Sequence, residues 1–430
     1  MRQHNPLRHL GAALGFMLAS AVGGCVGGSM DGSSMSPNPP PSAPPSGPST
    51  TAPPAVMQAQ QDNTPVDPAI VTADNTFGVN LFQNLYSGTP GNVAIAPISV
   101  AMALQIVYNG AGGATQQGMA QTLQLGSLST TDLNNDNAAL QGSLMNPDPQ
   151  VNLTIANSLW MHLDTNPLPA AFTQMDQTYY GATVGDLAGA PDNVNSWVNT
   201  ATNGLISSIL PPGNYASVVA VIANVIYFKG QWSTGFDASQ TAAAPFTLMD
   251  GTQVSVPMMH QSATYGYLQG ANFQAVRIPY GAGRFSMLAV MPNAGTNFNS
   301  FVAGLTPAML NTWEGQLQTV MGNLSMPKFT ATWGASLVQP LTALGMQAAF
   351  CPSASFPGLG TVCIQDVEHK TVVEVDESGT VAAGATTVTI IPTAVEAPSF
   401  TLALDQPFLY AIRDDMTGEL LFIGTMTNPS

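Results

Sequence analysis

The feature that most constrains the fold is a long stretch of globular composition, running from about Val71 to the end of the chain with no linker inside it. A Pro-rich stretch precedes it: nine of the eighteen residues from 37 to 54 are Pro, and residues 32–61 carry no charge. Such a stretch cannot form a core and is typical of a semi-rigid polyproline spacer, with an untethered disordered tail as the alternative. We therefore expect a tether at residues 26–70 and one folded domain at residues 71–430.

The net charge of the chain limits the kinds of molecule that it can bind. The chain has 24 acidic residues against 8 Lys and Arg, a formal charge of -16, and would be repelled by a polyphosphate backbone. No Gly-rich loop ending in Lys-Ser/Thr, no HExxH and no CxxC occurs in it. We expect no nucleic-acid partner, no cofactor and no metal.

The N-terminal segment is typical of an export signal. Arg2 and Arg8 precede an uncharged, mostly apolar stretch at residues 10–22, which is too short to span a bilayer and ends at Val22-Gly-Gly-Cys25. Small residues before a Cys resemble a lipobox, which makes Cys25 a lipidation candidate and residues 1–25 a signal peptide. An ordinary cleaved signal remains the alternative. We expect an outer-membrane lipoprotein that is attached to the membrane only through its lipid. Otherwise we expect the protein in the periplasm or the extracellular space.

The folded part mixes two hydrophobic periodicities. Residues 75–86 place apolar side chains at helical spacing, and Ser99 is a candidate cap for a second helix that continues to Tyr108. Residues 151–159 and 218–228 are apolar and rich in β-branched side chains, as buried strands are. Residues 273–279 and 285–291 flank the turn Tyr280-Gly-Ala-Gly-Arg284 and predict a hairpin. The fold class that follows is α+β.

Six segments, in one order, resemble the serpin family over about residues 72–428. The most specific is ESGTVAAGAT at residues 377–386, which is similar to the serpin hinge at every specified position. The others are residues 92–123, NVIYFKGQW at 224–232, LSMPKF at 324–329, VEHK at 367–370 and DQPFL at 405–409. The resemblance implies three β-sheets, eight or nine helices and an exposed reactive-centre loop.

The resemblance also implies two groups of functional residues. The shutter is expected at Ser99, Asn224 and His369, with Ala96 in place of a Ser that the family usually has. Without the resemblance, each would be read as an ordinary buried polar residue with a satisfied partner. The hinge is expected at Glu377, Gly379, Thr380, Ala382, Ala383, Gly384 and Ala385. Its small, uncharged side chains suit a segment that enters an existing sheet as a new strand.

A function follows from the resemblance: a single-use suicide substrate that traps a serine endopeptidase as an acyl-enzyme when its cleaved loop inserts. Such a protein is not an enzyme, supplies no catalytic residue and works as a monomer. The hydrolase alternative is disfavoured because none of His162, His260 and His369 lies near a Gly-x-Ser-x-Gly elbow. Trapping of a cysteine protease remains open. A non-inhibitory serpin that serves as a binding or chaperone-like module is the alternative.

Counting from Gly379 as the family's fifteenth residue before the cut places the reactive bond between Thr393 and Ala394. The neighbouring residues are small or aliphatic, and residues 380–399 contain no Arg, Lys or aromatic side chain. Elastase-like proteases are therefore expected as targets first and subtilisin-like ones second.

The second prediction about cysteines concerns Cys351 and Cys363. In an exported protein a disulfide between them is favoured over two free thiols.

Overall fold

The computed structural model describes residues 65–88, 91–145, 148–380 and 397–430. Several predicted positions lie outside these residues, and the predictions for them stay predictions. They are Cys25, Ala382, Ala383, Gly384, Ala385, Thr393 and Ala394.

The described residues form nine α-helical segments, as the resemblance implies. They are α1 (Pro68–Gly88), α2 (Pro97–Tyr108), α3 (Gly113–Thr122), α4 (Thr130–Leu144), α5 (Ala170–Tyr179), α6 (Asp192–Ala201), α7 (Phe298–Ala303), α8 (Pro307–Gln316) and α9 (Val338–Leu341). Helix α1 begins three residues before the predicted start of the domain, because Ile70 is already fully buried in the core. No described helix is both long enough and apolar enough to cross a membrane.

The same residues form fifteen strands, so the α+β fold class is confirmed. They are β1 (Ala94–Ile95), β2 (Val151–Met161), β3 (Thr183–Asp186), β4 (Ala220–Gln231), β5 (Ala242–Thr247), β6 (Gln253–Gln269), β7 (Phe273–Tyr280), β8 (Phe285–Pro292), β9 (Gln318–Pro327), β10 (Phe329–Ser336), β11 (Asp366–Asp376), β12 (Gly379–Thr380), β13 (Phe400–Ala403), β14 (Phe408–Asp414) and β15 (Leu420–Met426). The predicted hairpin is β7–β8, and the two predicted buried strands are β2 and β4.

Two sheets contain these strands. Six strands in the order β10-β11-β12-β4-β2-β3 form one sheet, and the other nine strands form the second. The resemblance implies three sheets. Two of these are joined by hydrogen bonds into the nine-stranded sheet, because the 17-residue β6 belongs to both. It pairs with β5 and β9 through residues 253–267 and with β7 through residues 266–269.

Helix α2 lies between the two sheets and contacts β2, β4 and β15. All twelve of its residues are buried, as expected of a helix that is apolar on every side. It begins at Pro97, a residue suited to the first helical position, with Ala96 as its N-cap. The prediction that Ser99 caps this helix is therefore wrong. Ser99 lies inside the first turn, which leaves its hydroxyl free to contact the six-stranded sheet.

Candidate functional site

The six-stranded sheet contains a seam that is closed at one end and open at the other. Strands β11 and β4 run parallel and are directly paired over five positions, from Asp366 with Val221 to Lys370 with Val225. Beyond Lys370 the two strands separate. The facing edges of residues 371–374 and 226–229 pair with nothing in the described part of the chain. This open stretch offers hydrogen-bonding groups to an incoming strand on both sides.

The far end of the opening is filled by two of the predicted hinge residues. Gly379 and Thr380 form β12, which is antiparallel to both neighbours: Thr380 aligns with Val375 on one side and Gly230 on the other. Thr380 is 1% exposed. These two residues therefore already lie between β11 and β4.

The Thr380 side chain contacts Tyr280, one member of a stacked aromatic pair. The Tyr280 and Thr380 hydroxyls are hydrogen-bonded at 2.8 Å, and the Tyr280 ring stacks on Trp232 with centroids 4.3 Å apart. Burial raises the pKa of the Tyr280 hydroxyl, which keeps it protonated. Gly379 has φ +149°, and a Cβ atom on it would lie 2.0 Å from the Gly230 carbonyl oxygen. Only Gly fits there.

Glu377 anchors the turn that leads from β11 into the hinge. Its carboxylate accepts hydrogen bonds from Lys328 Nζ and Thr241 Oγ1, each at 2.7 Å. Partial burial opposes ionisation, but these two donors hold the pKa of Glu377 below its usual value. The neighbouring Asp376 accepts the backbone N–H groups of Ser378 and Gly379 at 2.8 and 3.2 Å. The turn is thus fixed on both sides of its tip.

The closed end of the seam is held by the predicted shutter residues and by one residue that the sequence analysis missed. Asn224 Nδ2 donates to Ser99 Oγ at 2.6 Å, and its Oδ1 lies 2.9 Å from His369 Nδ1. Nδ2 also donates to Asn157 Oδ1. The four side chains, hereafter the shutter cluster, are at most 6% exposed. Asn157, Asn224 and His369 share one row across β2, β4 and β11, since Asn224 is the aligned partner of both others.

Its hydrogen bonds fix the protonation state of His369. The Ala96 backbone N–H donates to His369 Nε2 at 3.1 Å, so Nε2 is the unprotonated nitrogen and Nδ1 donates to Asn224. Burial lowers the pKa of His369 to about 3, and the imidazole is therefore neutral at neutral pH. Ala96 contributes through its backbone, a contact that the missing Ser hydroxyl does not affect.

The structure joins Cys351 and Cys363 in a disulfide bond below the closed end of the seam. Cys351 N–H donates to the Ile364 carbonyl, and Gln365 N–H donates to the Ala220 carbonyl at the foot of β4. The bond therefore closes the loop that leads directly into β11. Among the described residues no group of His, Cys, Asp and Glu side chains could hold a metal ion.

Comparisons with known proteins agree with this arrangement. A family model described as serpin (serine protease inhibitor) matches residues 72–429. Serpin-Z2A of Triticum aestivum is 31% identical over 379 residues, which are 82% of this chain and 94% of that protein. The native thermophilic serpin tengpin superposes with a TM-score of 0.79 at 29% identity, over 85% of this chain and 95% of the other. Human thyroxine-binding globulin gives 0.77 at 27% identity, over 85% and 100%.

Proposed function

The chain belongs to the serpin family of protease inhibitors, which are not enzymes, and we propose that it traps serine endopeptidases as a single-use suicide substrate. The observation that carries this proposal is the half-filled seam. The hinge enters between β11 and β4, and the strand edges beyond it are unpaired in the described part of the chain. A loop released by cleavage would complete an arrangement that the uncleaved protein has begun.

The register of β12 fixes where each further residue would lie. Each step along the inserting chain from Thr380 moves one residue back along both neighbours, so residues 381–384 match the open stretch at 374–371 and 229–226. The side chains that would face inward with Thr380 are uncharged. They are Ala382, Gly384, Thr386, Val388 and Ile390. Uncharged side chains support insertion, because a buried charge without a partner is costly.

Insertion beyond Gly384 would have to part the closed end. If the same register continued, Thr386 would lie between His369 and Asn224. The hydrogen bond between these two side chains and the five aligned strand positions would then have to separate first. The incoming strand would replace the lost backbone pairing on both sides, and the Thr386 hydroxyl could bond to the polar atoms that are freed. The shutter cluster thus opposes insertion, and the hydrogen bonds of the inserted strand would offset those that are lost.

The chemical role of the insertion is that of the family and is carried over to this chain. The protease attacks the loop and forms an acyl-enzyme, and the inserting strand drags the protease along and distorts its catalytic groups before water can deacylate it. A cysteine protease could be trapped in the same way, since it also forms an acyl-enzyme.

The specificity proposal rests on the sequence around the reactive bond, Thr393–Ala394. A trypsin-like pocket needs a cation and a chymotrypsin-like slot favours a large ring, neither of which this stretch supplies. We propose elastase-like proteases as the main targets and subtilisin-like ones as the second.

A panel of elastase, subtilisin, trypsin and chymotrypsin tests both proposals. We expect a covalent adduct stable in SDS with elastase, and a released C-terminal peptide that begins at Ala394. Fast inhibition of trypsin but not of elastase would refute the specificity. A folded protein that forms no adduct with any member of the panel would favour the alternative, a non-inhibitory serpin.

The location is a separate proposal. We propose that Cys25 is lipidated after export and that the Pro-rich tether holds the inhibitor away from the outer membrane. Radiolabelled palmitate should enter the wild-type protein, and Cys25→Ala should release it from membranes. A mature N-terminus at a residue other than Cys25 would contradict the lipid anchor without affecting inhibition.

A further inference from the structure

Far from the seam, three polar side chains are completely buried where α1, α2 and the start of β15 meet. They are Asp74, Gln105 and Glu419, and each is 0% exposed. Nothing in the inhibitory mechanism uses them. Two carboxyl groups in such a place are unusual, because removing a carboxylate from water costs on the order of several kcal/mol unless it is paired or protonated.

Hydrogen bonds of the Asn75 side chain hold Glu419 against the part of α1 that contains Asp74. Asn75 Nδ2 donates to the Gly418 carbonyl at 2.9 Å, and the Leu420 N–H donates to Asn75 Oδ1 at 2.8 Å. Asn75 thus bridges the residues on either side of Glu419, which fixes that residue beside Asp74. Gln105 Nε2 donates to Asp74 Oδ1 at 2.7 Å and ties α2 to the same point.

Most of the oxygens in this cluster have no donor. Asp74 Oδ2, both carboxyl oxygens of Glu419 and Gln105 Oε1 are buried without a hydrogen-bond partner in the described part of the chain. Buried acceptors of this kind are rare in folded proteins, and each one leaves a desolvation cost uncompensated. A proton on a carboxyl group would remove its buried charge and so lower this cost.

The nearest cation, Arg413, lowers the pKa of Glu419, but burial and the neighbouring carboxylates raise it more. Arg413 lies 3.8 Å from Glu314 and 3.5 Å from Asp415, its own carboxylate partners. Asp414 is held by Arg284 through two hydrogen bonds at 2.8 and 2.9 Å. Its negative charge acts on Glu419 with the same sign as that of Asp74.

Tyr180 also lies within reach of the Asp74 charge, and burial keeps its hydroxyl protonated by raising its pKa. Burial raises the pKa of Asp74 to about 7, against the opposing effect of the Gln105 amide. Burial and then the charges of Asp74 and Asp414 raise the pKa of Glu419 well above its usual value. Both directions agree with the geometry.

We propose that Asp74 and Glu419 hold at least one proton between them at neutral pH and so form a proton-dependent clamp that holds α1 against the β14–β15 hairpin. The clamp is independent of the proposed inhibition, since it involves neither the seam nor the loop. It weakens as the pH rises, because loss of this proton leaves two buried negative charges in the same region of the core.

The sign of the pH dependence follows from proton binding. Between about pH 4, where carboxyl groups of the unfolded chain titrate, and about pH 7, the folded state holds a proton that the unfolded state has lost. Stability should therefore fall as the pH rises through this window. His369 acts in the opposite direction between about pH 3 and 6.5, because its pKa is lowered by folding. The clamp must accordingly be measured as a difference between variants.

The test is urea unfolding of the full chain between pH 5 and 9 for the wild type and Glu419→Gln. Asp164→Asn, at an exposed position, is the matched control because it removes the same formal charge. We expect the unfolding constant of the wild type to rise about tenfold more per pH unit than that of Glu419→Gln within the window, which corresponds to one proton. The control should follow the wild type.

Infrared spectra give a second readout, and Asp74→Asn replaces Glu419→Gln if the latter does not fold. A protonated-carboxyl band present in the wild type at pH 7 should weaken in either variant. A destabilisation that is equal at every pH, or an unchanged band, would overturn the clamp. So would a wild-type thermal midpoint at pH 8 that EDTA lowers and Ca²⁺ restores, since the oxygens would then hold a cation.

Discussion

The two ends of the β11–β4 seam contain the same pair of strands and differ in what fills the space between them. At the open end Thr380 is already inserted and bonded to Tyr280, while at the closed end the strands pair directly and Asn224 bonds to His369. In the proposed mechanism the open end has begun the transition, and the closed end opposes its completion. The barrier to insertion would then be local and would lie in a few buried polar contacts.

The largest effect should come from cutting the loop. Cleavage between Val388 and Val395 would allow about ten residues to enter the sheet, and at about 1 kcal/mol per new hydrogen bond the thermal midpoint should rise by on the order of 20 °C. Calorimetry of the intact and the nicked protein measures this. A nick that lowers the midpoint, as it does in most proteins, would mean that the two ends are not parts of one seam.

A matched pair of substitutions should separate the two faces of the inserting strand. Thr386→Arg would bring a charge between Asn224 and His369, whereas Thr387→Arg would place the same charge on the opposite face, where β11 residues are partly exposed. We expect Thr386→Arg to lower the yield of protease adduct at least tenfold and to leave a cleaved, released inhibitor. Equal yields in the two variants would contradict the register.

Thr380→Arg is a less specific test of the same idea. Thr380 is buried before cleavage, so this variant would also disturb the uncleaved protein.

Weakening the closed end should have a smaller effect. Asn224→Ala removes the partner of Ser99, Asn157 and His369 together and leaves buried groups unpaired, which should cost about 3 kcal/mol of stability. Because the barrier is lowered as well, insertion after cleavage should be faster. Urea unfolding and stopped-flow fluorescence of a labelled loop measure the two effects. Slower insertion in this variant would show that the cluster assists the transition.

Weakening the open end should have the smallest effect. Glu377→Gln removes the charge that pairs with Lys328, and Lys328 is 37% exposed, so about 1 kcal/mol or less is expected after solvent screening. The change should be present above about pH 4.5 and vanish in acid, since the pKa of Glu377 is lowered by folding and the ion pair is lost as the carboxylate is protonated. Thermal midpoints measured from pH 7 down to the lowest pH at which the protein stays folded check this, with Asp164→Asn as the control.

The site was predictable only where a residue belongs to a recognisable segment. Ser99, Asn224 and His369 could be named from the sequence, and the fold brings them together. Asn157 could not, because its segment reads as an apolar strand and its role appears only in the alignment of β2 with β4. Tyr280 belongs to a predicted hairpin turn, and the sequence does not show its further role because its partner Thr380 is one hundred residues away.

The fold class and the main strands followed from periodicity, but local details depended on competing effects. Ser99 is a good helix cap by residue type, yet Pro97 starts the helix and Asn224 takes the Ser99 hydroxyl. Glu419 is far from Asp74 in the sequence, and only tertiary packing brings it to Asn75, the neighbour of Asp74.

Hydrogen exchange of the seam, followed by mass spectrometry before and after elastase cleavage, is the direct test of insertion between β11 and β4. Peptides covering residues 226–229 and 371–374 should exchange readily in the intact protein and become strongly protected in the cleaved one, since a new strand would pair with both edges. Unchanged exchange in both peptides after complete cleavage of the loop would contradict insertion between β11 and β4.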